Sequence, residues 1–134
     1  MRSWRIVICA GVLALAAGGA FAKPKGIVGT ERDVLTCNGS NGAKPDAQVA
    51  ACTKVLSSGK IKSPHEGDFY AMRAAAYFAQ KQHDNALADL NKALTFRKAP
   101  EVYFQRALLH LAMKKAELAK ADLAQVMLPQ PDFA

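Results

Sequence analysis

Two cysteines, three histidines and two arginine–aspartate pairs are the residues whose types and spacing could do chemistry in this chain. Cys37 and Cys52 lie 15 positions apart and flank the turn-rich stretch Asn38-Gly39-Ser40-Asn41-Gly42-Ala43-Lys44-Pro45. Such a stretch can reverse the chain and bring the two sulfurs together. The spacing lacks the C-x-x-C of thiol oxidoreductases, so a structural disulfide is expected rather than a redox-active pair. His65, His83 and His110 are scattered and show no ligand spacing with the thiols, which argues against a zinc site. Arg73 is followed after 16 positions by Asp89, and Arg106 after 16 by Asp122. Two readings fit this recurrence: a salt bridge between helices of one unit, or a basic row gripping an acidic partner.

Enzyme chemistry finds little support. There is no G-x-S-x-G, no H-E-x-x-H, no phosphate-binding glycine loop and no dinucleotide fingerprint. A nucleophilic Cys37 or Cys52 would need a free thiol. No cofactor and no metal is expected. The 134 residues carry 18 Lys+Arg against 11 Asp+Glu, a formal charge of +7. The lysines are dispersed rather than clustered, so nucleic acid is not an expected partner. A basic surface of this kind could attract anionic polymers or lipid headgroups.

The first residues read as a secretory signal. Arg2 and Arg5 precede the uncharged apolar run IVICAGVLALAA at residues 6–17, and Ala20-Phe21-Ala22 presents small residues for cleavage before Lys23. The apolar stretch is too short and too glycine-rich for a membrane span, which takes about 20 residues. Cys9 is poorly placed for lipidation. Cleavage after Ala22 would remove Arg2, Arg5 and Cys9 and leave Cys37 and Cys52 as the only cysteines. No later segment approaches the length of a span. The expected location is the periplasm or the exterior, where a disulfide persists. The domain plan is a signal peptide at 1–22, an N-terminal segment at 23–43 tied by the disulfide to the first helix, a repeat domain at 44–128, and a tail at 129–134.

The elements that must position these residues are helices. Between Pro64 and Met127 glycine appears only at Gly67, and Ala, Leu, Lys and Gln dominate. Apolar residues recur at steps of three and four, as in Tyr70, Ala74, Tyr77, Phe78 and then Ala86, Leu87, Leu90, Ala93, Leu94. Strand alternation is nowhere sustained. Internal repetition sets the architecture. Tyr70-Ala71-Met72-Arg73-Ala74 lies over Tyr103-Phe104-Gln105-Arg106-Ala107, and at the same offset Ala86, Ala88, Asp89 and Leu90 fall on Ala119, Ala121, Asp122 and Leu123. Each copy is a helix, a polar break and a second helix.

These copies resemble tetratricopeptide repeats (TPR). The family's large early aromatic falls on Tyr70 and Tyr103, and its small eighth position on Ala74 and Ala107. Its later aromatic falls on Tyr77, with His110 as a departure, and its small twentieth position on Ala86 and Ala119. Its small twenty-seventh position falls on Ala93, with Val126 as a departure. The segment Asp46–Leu56 resembles a second TPR helix standing alone. The block from Cys37 onward is similar to small exported TPR proteins of alphaproteobacteria.

The resemblance implies an all-α, short right-handed TPR solenoid of about two full repeats plus an N-terminal half repeat. It implies a binding module for a protein or peptide rather than an enzyme. By the family's register the concave face carries Asp68, Ala71, Ala75, Phe78 and Ala79 from one repeat, then Glu101, Phe104, Leu108, Leu111 and Ala112 from the next. The basic clamp of chaperone-binding TPRs is not present at these positions. Phe104, Leu108 and Leu111 form an apolar stripe, either buried by an adjoining segment or open as a groove. The prolines Pro129 and Pro131 forbid a further capping helix, so the last helix could also support a homodimer.

Overall fold

The computed structural model describes residues 31–129, all six of whose regular elements are α-helices. They are α1 (Glu31–Cys37), α2 (Pro45–Ser57), α3 (His65–Ala79), α4 (His83–Phe96), α5 (Pro100–Ala112) and α6 (Ala116–Val126). The segment 1–22, read from the sequence as a signal peptide, and the tail beyond Pro129 lie outside the described residues. Consecutive helices pack on one another, and α3 additionally touches α1 and α5. The result is a short solenoid of antiparallel pairs, α1/α2, α3/α4 and α5/α6.

The half repeat expected upstream thus has a partner. Cys37 closes α1, a seven-residue helix in the segment read from sequence only as a disulfide-tied stretch. Its brevity explains the miss, since seven residues span about two turns and give no periodicity to count.

Helix starts and stops follow from local chemistry. Pro45 and Pro100 sit in the first turns of α2 and α5, where a missing N–H costs nothing. Acids occupy the first turns throughout, among them Asp46, Glu66, Asp84, Glu101 and Glu117, complementing the helix dipoles. No N-cap side chain makes a capping hydrogen bond in α2–α6, so packing must supply what capping does not. The two intra-repeat breaks are copies of each other. Lys81 and Lys114 adopt left-handed backbone with φ of 59° and 60°. Gln82 N–H donates to the Tyr77 carbonyl at 2.9 Å, and Lys115 N–H to that of His110 at 2.7 Å. This six-to-one closure is the Schellman motif, made here with lysine where glycine is usual.

Small residues set the helix spacing. Ala74, Ala86, Ala107 and Ala119 are each at most 1% exposed. Gly67 is the tightest approach: a Cβ there would lie 3.0 Å from Phe96 Cβ and 3.2 Å from the Ala93 carbonyl oxygen. The core has two parts. One runs from α3 to α5 through Ala74, Leu90, Val102 and Leu109, with Tyr70 and Tyr77 packed beside it. The other joins Cys37, Cys52, Val55 and Phe69 between the N-terminal pair and α3.

Candidate functional site

Arg73 and Arg106 project from equivalent turns of α3 and α5. Arg73 Nε and Nη2 donate to the two carboxylate oxygens of Asp89 at 2.7 and 2.8 Å. Arg106 does the same to Asp122 at 2.8 and 2.6 Å. Both aspartates are buried. Each arginine also reaches back: Arg73 Nη1 donates to Thr53 Oγ1 on α2 at 3.0 Å, and Arg106 Nη1 to Asn91 Oδ1 on α4 at 2.7 Å. The guanidinium of Arg73 lies 5.4 Å from the Tyr70 ring centre, and that of Arg106 5.6 Å from Tyr103. The bond to its aspartate holds each arginine's pKa above its ordinary value. All of these bonds are internal, which favours the structural reading over a basic row gripping a partner.

His110 stands where the first repeat has Tyr77, against the same ion pair. It is buried, and its Nε2 lies 3.7 Å from Asp122 Oδ2, too far for a hydrogen bond. Its Nδ1 is buried without a partner. Burial pushes its pKa below 6.5; Asp122 pulls it up, while Arg106 and Lys115 push it down. A depressed folded-state pKa means that the neutral imidazole is favoured by folding. Its contribution is present above the unfolded-state value of about 6.5 and is lost as pH falls below it. His110→Tyr, which copies the first repeat, is expected to flatten the decline in melting temperature between neutral and mildly acidic pH. A decline of unchanged slope in the variant would assign the acid sensitivity to other groups. His83 opens α4 with its ring 5.7 Å from Phe78 and its Nδ1 buried without a hydrogen-bond partner.

Cys37 and Cys52 are joined as a disulfide across α1 and α2, with Cα atoms 4.7 Å apart. Both are essentially fully buried. No group of His, Cys, Asp or Glu among the described residues could hold a metal ion.

Of the residues expected on a concave face, Asp68, Ala71, Ala75, Phe78, Glu101 and Leu108 fall around two adjoining cavities. The larger, about 490 Å³, runs between the first turns of α3 and α5 and is lined by Asp68, Ala71, Ala75 and Glu101, with Cys37 and Asn38 at its edge. The smaller, about 100 Å³, is apolar and is lined by Ala75, Phe78, Leu90 and Leu108. Ala75 and Gln105 belong to both. Ala71 is only 8% exposed, because Ala99 and Val102 pack in the same cluster, so it offers wall rather than contact surface. Phe104 and Leu111 are 47% and 51% exposed but lie outside both cavities. The apolar stripe is therefore uncovered among the described residues.

Arg97, Gln105 and Met72 are among the groove residues missed by the sequence reading. Arg97 binds Asp68 at 3.3 Å. Gln105 separates the cavities, and its register mate Met72 lines the larger one. The register itself, which places Met72 over Gln105, could have found the last two.

Comparison with known proteins agrees with the repeat pattern. Residues 67–99 and 100–131 each match the tetratricopeptide repeat model. A 64-residue stretch covering 48% of the chain is 33% identical to Ethylene-overproduction protein 1 of Arabidopsis thaliana. The matched region spans 7% of that protein's length. No solved structure matches the chain. The fold is a short TPR solenoid, its two C-terminal helix pairs match the tetratricopeptide repeat model, and such repeats suggest a protein–protein interaction module.

Proposed function

We propose that the protein is an exported, periplasmic or secreted scaffold that binds a protein or peptide partner through the concave side of its repeats. The observation carrying this reading is the row of large apolar side chains on α3 and α5. Phe78, Phe104, Leu108 and Leu111 are 40–51% exposed, and Phe78 and Leu108 line the smaller cavity. Contiguous exposed apolar surface of this kind usually marks an interaction site. Export is supported by the signal-like residues 1–22 and by the paired cysteines, and no helix among the described residues is long and apolar enough to cross a membrane.

Phe104→Asp is the direct test. Phe104 is half-exposed, so the variant is expected to keep its helical circular dichroism and cooperative melt while losing the proteins that copurify with the wild type from envelope extract. A variant that loses its melt would assign Phe104 to the core. One that keeps both melt and capture would place the binding face elsewhere.

Self-association is the second reading, and α6 favours it. Leu123 is 37% exposed at the register position where Leu90 is 3% exposed, because α5 covers Leu90 and no described helix covers Leu123. Met127, four residues further on, extends this face. A dimer in sedimentation that Leu123→Glu dissociates would support assembly, and a monomer would favour the groove.

A further inference from the structure

The concave groove is chemically graded along its length. At its N-terminal end α3 and α5 present Asp68 and Glu101; at its other end they present Phe78 and Leu108 around the small apolar cavity. The acids lie on one row with the apolar side chains, because Glu101, Gln105 and Leu108 are separated by four and three residues and share one helix face. Between the two ends sits Gln105, whose Oε1 is shielded from solvent and has no hydrogen-bond partner.

The charges at the acidic end are unequal in their engagement. Asp68 is held by the exposed Arg97 at 3.3 Å, with His65 Nδ1 at 3.6 Å. Glu101 is exposed and has no ion pair among the described residues. The groove therefore keeps a carboxylate without a counter-charge, although the chain as a whole is formally +7. The two fields act on different scales. The dispersed lysines act from a distance and are screened beyond about 8 Å at physiological ionic strength, whereas a group seated in the groove meets Glu101 at contact range.

Resting on the reading of the groove as the partner site, the geometry points to one class of occupant: an extended peptide segment with a basic side chain three residues from a medium-sized apolar one. The spacing follows from the helix. Seven residues from Glu101 to Leu108 rise about 10 Å. An extended peptide covers that distance in about three residues. The basic group pairs with Glu101 and competes with Arg97 for Asp68. The apolar side chain enters between Phe78 and Leu108.

The test uses blocked synthetic hexapeptides containing Lys and Leu three residues apart, in both chain orders. Matched sets carry Glu or Gln in place of Lys. Each is titrated into the disulfide-bonded full chain and followed by amide NMR shifts into the millimolar range. Lys peptides are expected to bind about tenfold tighter than Glu peptides, each half-exposed ion pair contributing up to about fivefold. Glu101→Gln should weaken the Lys peptide about three- to fivefold, and high salt should narrow the Lys-to-Glu difference. Arg97→Gln should tighten it, because it frees Asp68. Tighter binding of Glu peptides, or loss of Lys-peptide binding in Arg97→Gln, overturns the proposal. Equal binding of all sets that Leu108→Asp abolishes overturns the charge assignment and leaves the groove as a peptide site. Shifts from none of the peptides overturn both.

Discussion

Replacing Arg73 by Met is expected to cost the fold about 3 kcal/mol or more. The size follows from what remains behind. Asp89 is 6% exposed, and both of its carboxylate oxygens accept from Arg73. Without the guanidinium that carboxylate is a buried charge with no counter-ion, and the loss exceeds whatever the intact pair contributes. The reverse truncation, Asp89→Leu, should cost less. Arg73 can then swing its head toward water on a flexible stem, although it gives up Thr53 and the Tyr70 face. The double variant should recover part of the Arg73→Met loss, since an apolar pair can replace a buried ion pair without large penalty. Urea unfolding of the four proteins measures all three terms. Equal small losses for both single variants, under about 1 kcal/mol, would class the pair with solvent-screened surface bridges.

Loss of the Cys37–Cys52 bond is the second large effect, expected at about 3 kcal/mol from the entropy of a loop of this size. The bond does more than shorten the unfolded chain. A seven-residue helix is far below the length at which isolated helices persist, and the disulfide ties α1 to α2 at its last residue. Reduction should therefore loosen α1 before the repeats, seen as early loss of amide protection there and a lower melting temperature. Thiol titration of the unreduced, unfolded chain should find Cys9 as the only free sulfhydryl where residues 1–22 remain attached, and none after their removal. Free thiols at 37 and 52 would remove the basis of this prediction.

Much of the architecture was legible because the two repeats copy one another. The offset placing Tyr70 on Tyr103 also placed Arg73 on Arg106 and Asp89 on Asp122, and the structure puts each arginine within hydrogen-bond distance of its aspartate. The third partners were not legible. Thr53 precedes Arg73 by 20 residues while Asn91 precedes Arg106 by 15. The connector between α2 and α3 is longer than that between α4 and α5, which breaks the offset, and hydroxyl and amide oxygens serve equally as acceptors. The groove was half legible. Register placed Asp68, Ala75, Phe78, Glu101 and Leu108 around it. It could not show that Ala71 sinks beneath Ala99 and Val102, or that Arg97, in the link between repeats, folds back onto Asp68.

The backward reach of the arginines has a consequence for how the array holds together. In a linear stack, cooperativity depends on the coupling between neighbours rather than on the strength of each unit. Arg73 and Arg106 act as rivets. Each fastens its own two helices and, through one remaining nitrogen, the last helix of the unit before it. Breaking one unit therefore strips a bond from the preceding one, so the units melt together. The riveting is directional: α2 and α4 are held from the following repeat, and α6 has no such hold among the described residues. Fraying is accordingly expected to begin at α6, while α3 and α4, each bonded from a neighbouring unit or by its own arginine, hold longer.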